Sequence, residues 1–122
     1  MSANEHMKFY EAKINLRRFD DVEPLISPHA LFWFTDGAHR GITEIRAAFE
    51  RTWATLQNEI YWLEDLEWIG LSDSVASCTY RFCWKAEIDG EIFEGTGRGT
   101  TVLRVENGEW KIIHEHLSRI PN

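Results

Sequence analysis

The sequence predicts an α+β fold, with helices in the first half and an antiparallel meander of strands in the second. Apolar residues recur at three- and four-residue steps only before residue 57. Beyond it they alternate, and Asp89-Gly90 and Asn107-Gly108 fall where hairpin turns would join consecutive strands. Helical periods followed by strand periods place helices on one side of an antiparallel sheet.

Residues 5–18 carry Met7, Tyr10 and Ile14 at helical spacing among charged residues, which predicts an amphipathic first helix. A short second helix is expected over Asp20–Ile26, capped by Asp20 or Asp21 and ended by Ser27-Pro28-His29. Ala30–Thr35 reads as an aromatic strand. The turn pair Asp36-Gly37 would then set Phe34 opposite His39. A third helix over 43–56 has the longest clean period, with Ile42, Ile45, Phe49, Trp53 and Leu56 on one face. Four strands complete the chain, over 60–71, 74–88, 91–105 and 110–118.

The two hairpin turns allow register to be read. Pairing Ile88 with Glu91 sets Trp84 opposite Gly95, Phe82 opposite Gly97, Tyr80 opposite Gly99 and Cys78 opposite Thr101. A file of glycines beneath large rings suggests a strongly bent sheet with its aromatic face concave. Pairing Glu106 with Glu109 sets Val105 beside Trp110, Leu103 beside Ile112, Thr101 beside His114 and Gly99 beside His116. Both histidines are therefore expected on the concave face. Arg81, Arg98, Ile113, Glu115 and Leu117 fall on the outer one.

Composition narrows the class. A chain of 122 residues is long enough for one core and is read as one domain over residues 1–122. It is 43% hydrophobic with six tryptophans, so a wide apolar volume is being lined or filled. A net charge of -7 argues against nucleic acid and anionic membrane surfaces as partners. The N-terminal residues lack the apolar core of a signal peptide and no run approaches a membrane span, which predicts a cytoplasmic protein. Cys78 and Cys83 lie five residues apart in one strand, about 16 Å, on opposite faces, so no disulfide between them is expected.

The element order, the Phe34-Thr35-Asp36-Gly37 segment leading into Arg40-Gly41-Ile42-x-x-Ile45, and the ending Asn107-Gly-Glu-Trp-Lys-Ile-Ile-His-Glu-His-Leu-Ser118 resemble a SnoaL-like domain of the nuclear transport factor 2-like superfamily. The ending is also similar to the association domain of calcium/calmodulin-dependent protein kinase II. The resemblance implies a cone: a curved antiparallel sheet wrapped around a long helix, enclosing a pocket and pairing into homodimers through the outer sheet face. That cone serves isomerases, cyclases, scaffolds and transport factors, so it leaves activity open.

His114 and His116 are the sharpest candidates for chemistry, as proton carriers near neutral pH or as hydrogen-bonded core residues. Tyr80 offers a hydroxyl to a developing oxyanion, or else packs and satisfies itself locally. Asp36 sits near the place from which related isomerases project a catalytic aspartate, although a turn role suits it better. Thr101, Trp33 and Trp84 complete the expected ligand contacts, with the tryptophans read as pocket wall or core. The expected function is the binding of a small apolar organic molecule. If the chain is an enzyme, it would be an isomerase or cyclase working by proton transfer with neither metal nor cofactor. The alternative is a non-catalytic ligand-sensing or assembly module.

Overall fold

The computed structural model describes residues 1–121. Helix α1, Ala3–Ile14, starts at a capping box in which Ser2 and Glu5 exchange two 3.0 Å hydrogen bonds. It buries Met7, Tyr10 and Ile14, the expected face, and stops before Arg17, whose φ of 59° cannot continue a helix. The second helical segment is shorter than expected, α2 over Phe19–Val22 and a 3-10 turn over Glu23–Leu25. Neither Asp20 nor Asp21 caps it. Arg18 holds that position without a side-chain cap bond, and Asp21 pairs with the Arg18 guanidinium instead.

Strand β1, Ile26–Phe34, absorbs the Ser27-Pro28-His29 run expected to be loop. It turns through Thr35-Asp36 into β2, Gly37–Arg40, so Phe32 rather than Phe34 faces His39. Helix α3, Gly41–Thr55, buries Ile45, Ala48 and Phe49. The remaining strands are β3, Gln57–Leu71; β4, Val75–Ile88; β5, Glu91–Glu106; and β6, Glu109–Arg119.

These strands form one sheet in the order β2-β1-β6-β5-β4-β3. It is mixed, because β1 runs parallel to β6, where the sequence suggested antiparallel neighbours throughout. The helices cover the concave face, and their apolar residues join Phe32, Cys78, Tyr80, Phe82, Leu103 and Ile112 in one core.

The β4–β5 register runs as the Asp89-Gly90 turn requires, from Ile88↔Glu91 to Cys78↔Thr101 and beyond. Space for the rings explains the glycines. A Cβ at Gly99 would lie 2.3 Å from the Tyr80 ring, and one at Gly97 would meet Phe82 at 2.3 Å and the Ser118 carbonyl at 2.4 Å. The aromatic side chains lie directly on bare backbone, and Tyr80 and Phe82 are buried.

The β5–β6 register follows the Asn107-Gly108 turn only as far as Leu103↔Ile112. There a bulge inserts Ile113, and the pairing resumes as Val102↔His114, Thr101↔Glu115, Thr100↔His116 and Gly99↔Leu117. One extra residue exchanges the two faces of everything after it. The expected pairs Thr101–His114 and Gly99–His116 are thereby overturned. Glu115 and Leu117 point into the concavity, while His114 and His116 move to the outer face.

Candidate active site in the concave face

A cavity of about 320 Å³ lies between the sheet and the helices. Each wall follows from the pattern of its element. Tyr10 and Ile14 come from the apolar stripe of α1, and Phe49 and Trp53 from that of α3, four residues apart. Tyr61, Phe82 and Trp84 come from neighbouring positions on the inner faces of β3 and β4, with the Tyr61 and Phe82 rings stacked at 6.5 Å. Glu115 and Leu117 complete the lining from β6, with Asp36 from the β1–β2 turn and Glu59 from β3.

Glu115 is the centre of the polar chemistry. Its residue is 2% exposed. Tyr10 Oη donates to Oε2 at 2.5 Å, and Tyr80 Oη reaches Oε1 at 3.4 Å while lying 2.7 Å from Thr101 Oγ1. Burial pushes the Glu115 carboxyl up to about 7, against the lowering effect of the two tyrosine hydrogen bonds. The same burial, together with the neighbouring carboxylate, holds the phenols of Tyr10, Tyr61 and Tyr80 well above their ordinary value, so all three are donors near neutrality.

Glu59 is the second perturbed acid. Its side chain is 7% exposed, and desolvation raises it to about 6, partly offset by Arg17. Arg17 Nη1 stands 3.9 Å from Glu59 Oε1, while Nη2 donates to the carbonyls of Trp53 and Leu56 at the end of α3. The main chain of Tyr61 is clamped by Asn15, which donates to its carbonyl at 2.7 Å and accepts from its N–H at 2.8 Å. Among the described residues, no protein group hydrogen-bonds the Tyr61 hydroxyl, which leaves a donor on the cavity wall.

The residues singled out from sequence are divided by this geometry. Trp84 and Asp36 line the cavity, Asp36 with a largely exposed side chain 3.1 Å from His39 Nε2. Tyr80 and Thr101 are buried on the inner face but stand outside the lining, touching the cavity through Glu115. His114, His116 and Trp33 are on the outer face, where Trp33 meets the two imidazoles edge-on at 5.1 and 5.2 Å. His114 Nδ1 also lies 2.6 Å from the Leu31 carbonyl across the parallel β1–β6 pair. His116 instead borders a second hollow of about 410 Å³ on the outer face, with Arg81, Arg98 and Thr100.

Glu115, Glu59, Tyr10 and Tyr61 were missed. The signal for Glu115 was present, since the doublet Ile112-Ile113 breaks the alternation of the strand and leaves Leu117 stranded outside in the unbulged register. Glu59 and Tyr61 carry no such mark.

The sequence pattern of the SnoaL-like domain matches residues 4–122. The chain belongs to the SnoaL-like domain family. Solved structures agree on the fold. A nuclear transport factor 2-like superfamily protein from Salmonella enterica superposes on this SnoaL-like chain with a TM-score of 0.87 at 21% identity, covering 97% of this chain and 88% of the other. A protein with a cystatin-like fold from Caulobacter vibrioides gives 0.82 at 17% identity, over 98% and 88%. The association domain of C. elegans CaMKII gives 0.74 at 15% identity, over 92% and 88%. At these identities the likeness is one of fold. No curated protein is similar enough in sequence to match the chain.

Proposed function

We propose that the SnoaL-like chain binds a small, largely apolar organic molecule in the concave cavity and moves a proton on it, as an isomerase or cyclase does, with Glu115 as the acid and base. The observation that carries this reading is a fully buried carboxyl on the cavity wall held near pH 7, where it can both take and return a proton. Tyr10 occupies Oε2 at short range, whereas the contact of Oε1 to Tyr80 is long and Tyr80 has a nearer partner in Thr101. Oε1 is thus the more weakly held of the two oxygens. The unpartnered Tyr61 hydroxyl is the donor for the oxyanion that forms when the substrate proton leaves.

The test is hydrogen–deuterium exchange at the α-carbon of a panel of small cyclic ketones in D2O, followed by NMR. Exchange should rise with pH through about 7, because the base is the ionised form. Glu115→Gln should lower it by at least about 100-fold. Equal exchange in both proteins would overturn the assignment.

A second reading, the non-catalytic module, has its own support: both Glu115 oxygens have tyrosine partners, as in a buried polar network that holds three elements together. A ligand that binds the cavity, with no exchange on any ketone, would favour it. Under either reading we propose that two copies pair through the outer sheet face, around Trp33, His116 and Arg98.

A further inference from the structure

We infer that the ligand of the concave cavity is a cation: a protonated amine on an aromatic or alicyclic body, received by Glu59. The inference rests on the reading of the cavity as a binding site. Three carboxyl groups line it, Asp36, Glu59 and Glu115, and no lysine, arginine or histidine does so among the described residues. An anionic ligand would enter a hollow whose charged walls repel it.

Glu59 is the group built for a counterion. Its side chain is more than nine-tenths buried, it lines the cavity, and no hydrogen bond reaches its carboxylate from the described residues. Arg17 is the one cation beside it: the two form an ion pair at 3.9 Å, too long for a hydrogen bond, so Arg17 Nη1 is left buried without a hydrogen-bond partner while Nη2 is committed to the carbonyls of Trp53 and Leu56. Arg17 also stands outside the cavity lining, so the carboxylate is what a ligand meets. The Glu59 oxygens are not sealed off by protein, so a ligand ammonium in the cavity can donate to them. Phe49, Trp53, Tyr61, Phe82 and Trp84 add ring walls that favour a cation over an anion and receive an apolar body.

Calorimetric titration of the full chain at pH 8 with 2-phenylethylamine, 2-phenylethanol and 3-phenylpropanoate tests this. At that pH Glu59, raised only to about 6, is ionised, and an alkylamine with a pKa of about 10 is protonated. The amine should bind at least about tenfold more tightly than the alcohol, and the carboxylate most weakly. Glu59→Gln should abolish the advantage of the amine, with a circular dichroism spectrum like that of the parent showing that the variant is folded. Equal binding of amine and alcohol, or an amine advantage that survives Glu59→Gln, would overturn the inference while leaving the cavity reading intact. Failure of all three to bind would overturn both. Should the variant not fold, the order of the three ligands on the unaltered chain still decides.

Discussion

Burying the Glu115 carboxyl costs stability once it ionises. Its ordinary value of 4.5 is raised to about 7 in the fold, so between those values the folded chain holds a proton that the unfolded chain has lost. Stability therefore falls as pH rises through that window and stays low above it. Glutamine cannot ionise, so Glu115→Gln should gain on the parent by roughly 3 kcal/mol between pH 4 and pH 8. Urea denaturation at both values measures the gain, and Glu59 titrates in both proteins and cancels. A difference independent of pH would mean that Glu115 ionises normally. This residue was overlooked for a specific reason: its neighbours His114 and His116 are the more conspicuous chemistry, and the bulge that turns it inward is marked in the sequence only by the Ile112-Ile113 doublet.

Among the elements, β5 depends on having no side chains where the rings of β4 cross it. Gly97→Ala puts a methyl group 2.4 Å from the fixed Ser118 carbonyl as well as against Phe82, so the strand must shift. The expected cost is about 2 kcal/mol or more in chemical denaturation. An unaltered midpoint would show that the curvature does not need the bare position. This part of the fold was readable from the glycine spacing, as were the four later strands and α3. The parallel entry of β1 beside β6 was not, because nothing in a strand's own residues names a distant partner. Nor was the extent of β1, where Pro28 and Ser27 carry turn chemistry that the sheet overrides.

At the scale of the molecule, the outer face combines Trp33, 43% exposed, with the two histidines and Arg98. Aromatic and arginine side chains on a broad sheet face suit a subunit contact. If two copies pair there, Trp33→Glu should lower the light-scattering mass to that of one chain, with ligand binding in the concave cavity retained. An unchanged mass would remove the contact from this face. No helix among the described residues is long and apolar enough to cross a membrane.

Strand β3 lies at the border of the sheet, yet part of its outward backbone is already occupied. Asn15 takes both main-chain groups of Tyr61, and Glu11 accepts the N–H of Leu63 at 2.7 Å. One side chain of α1, Glu11, and its C-cap residue Asn15 thus imitate a seventh strand. A chain lacking that helix would lose more than one wall of its cavity: it would present an unsatisfied ribbon to other copies of itself, and stacking into fibres would compete with refolding.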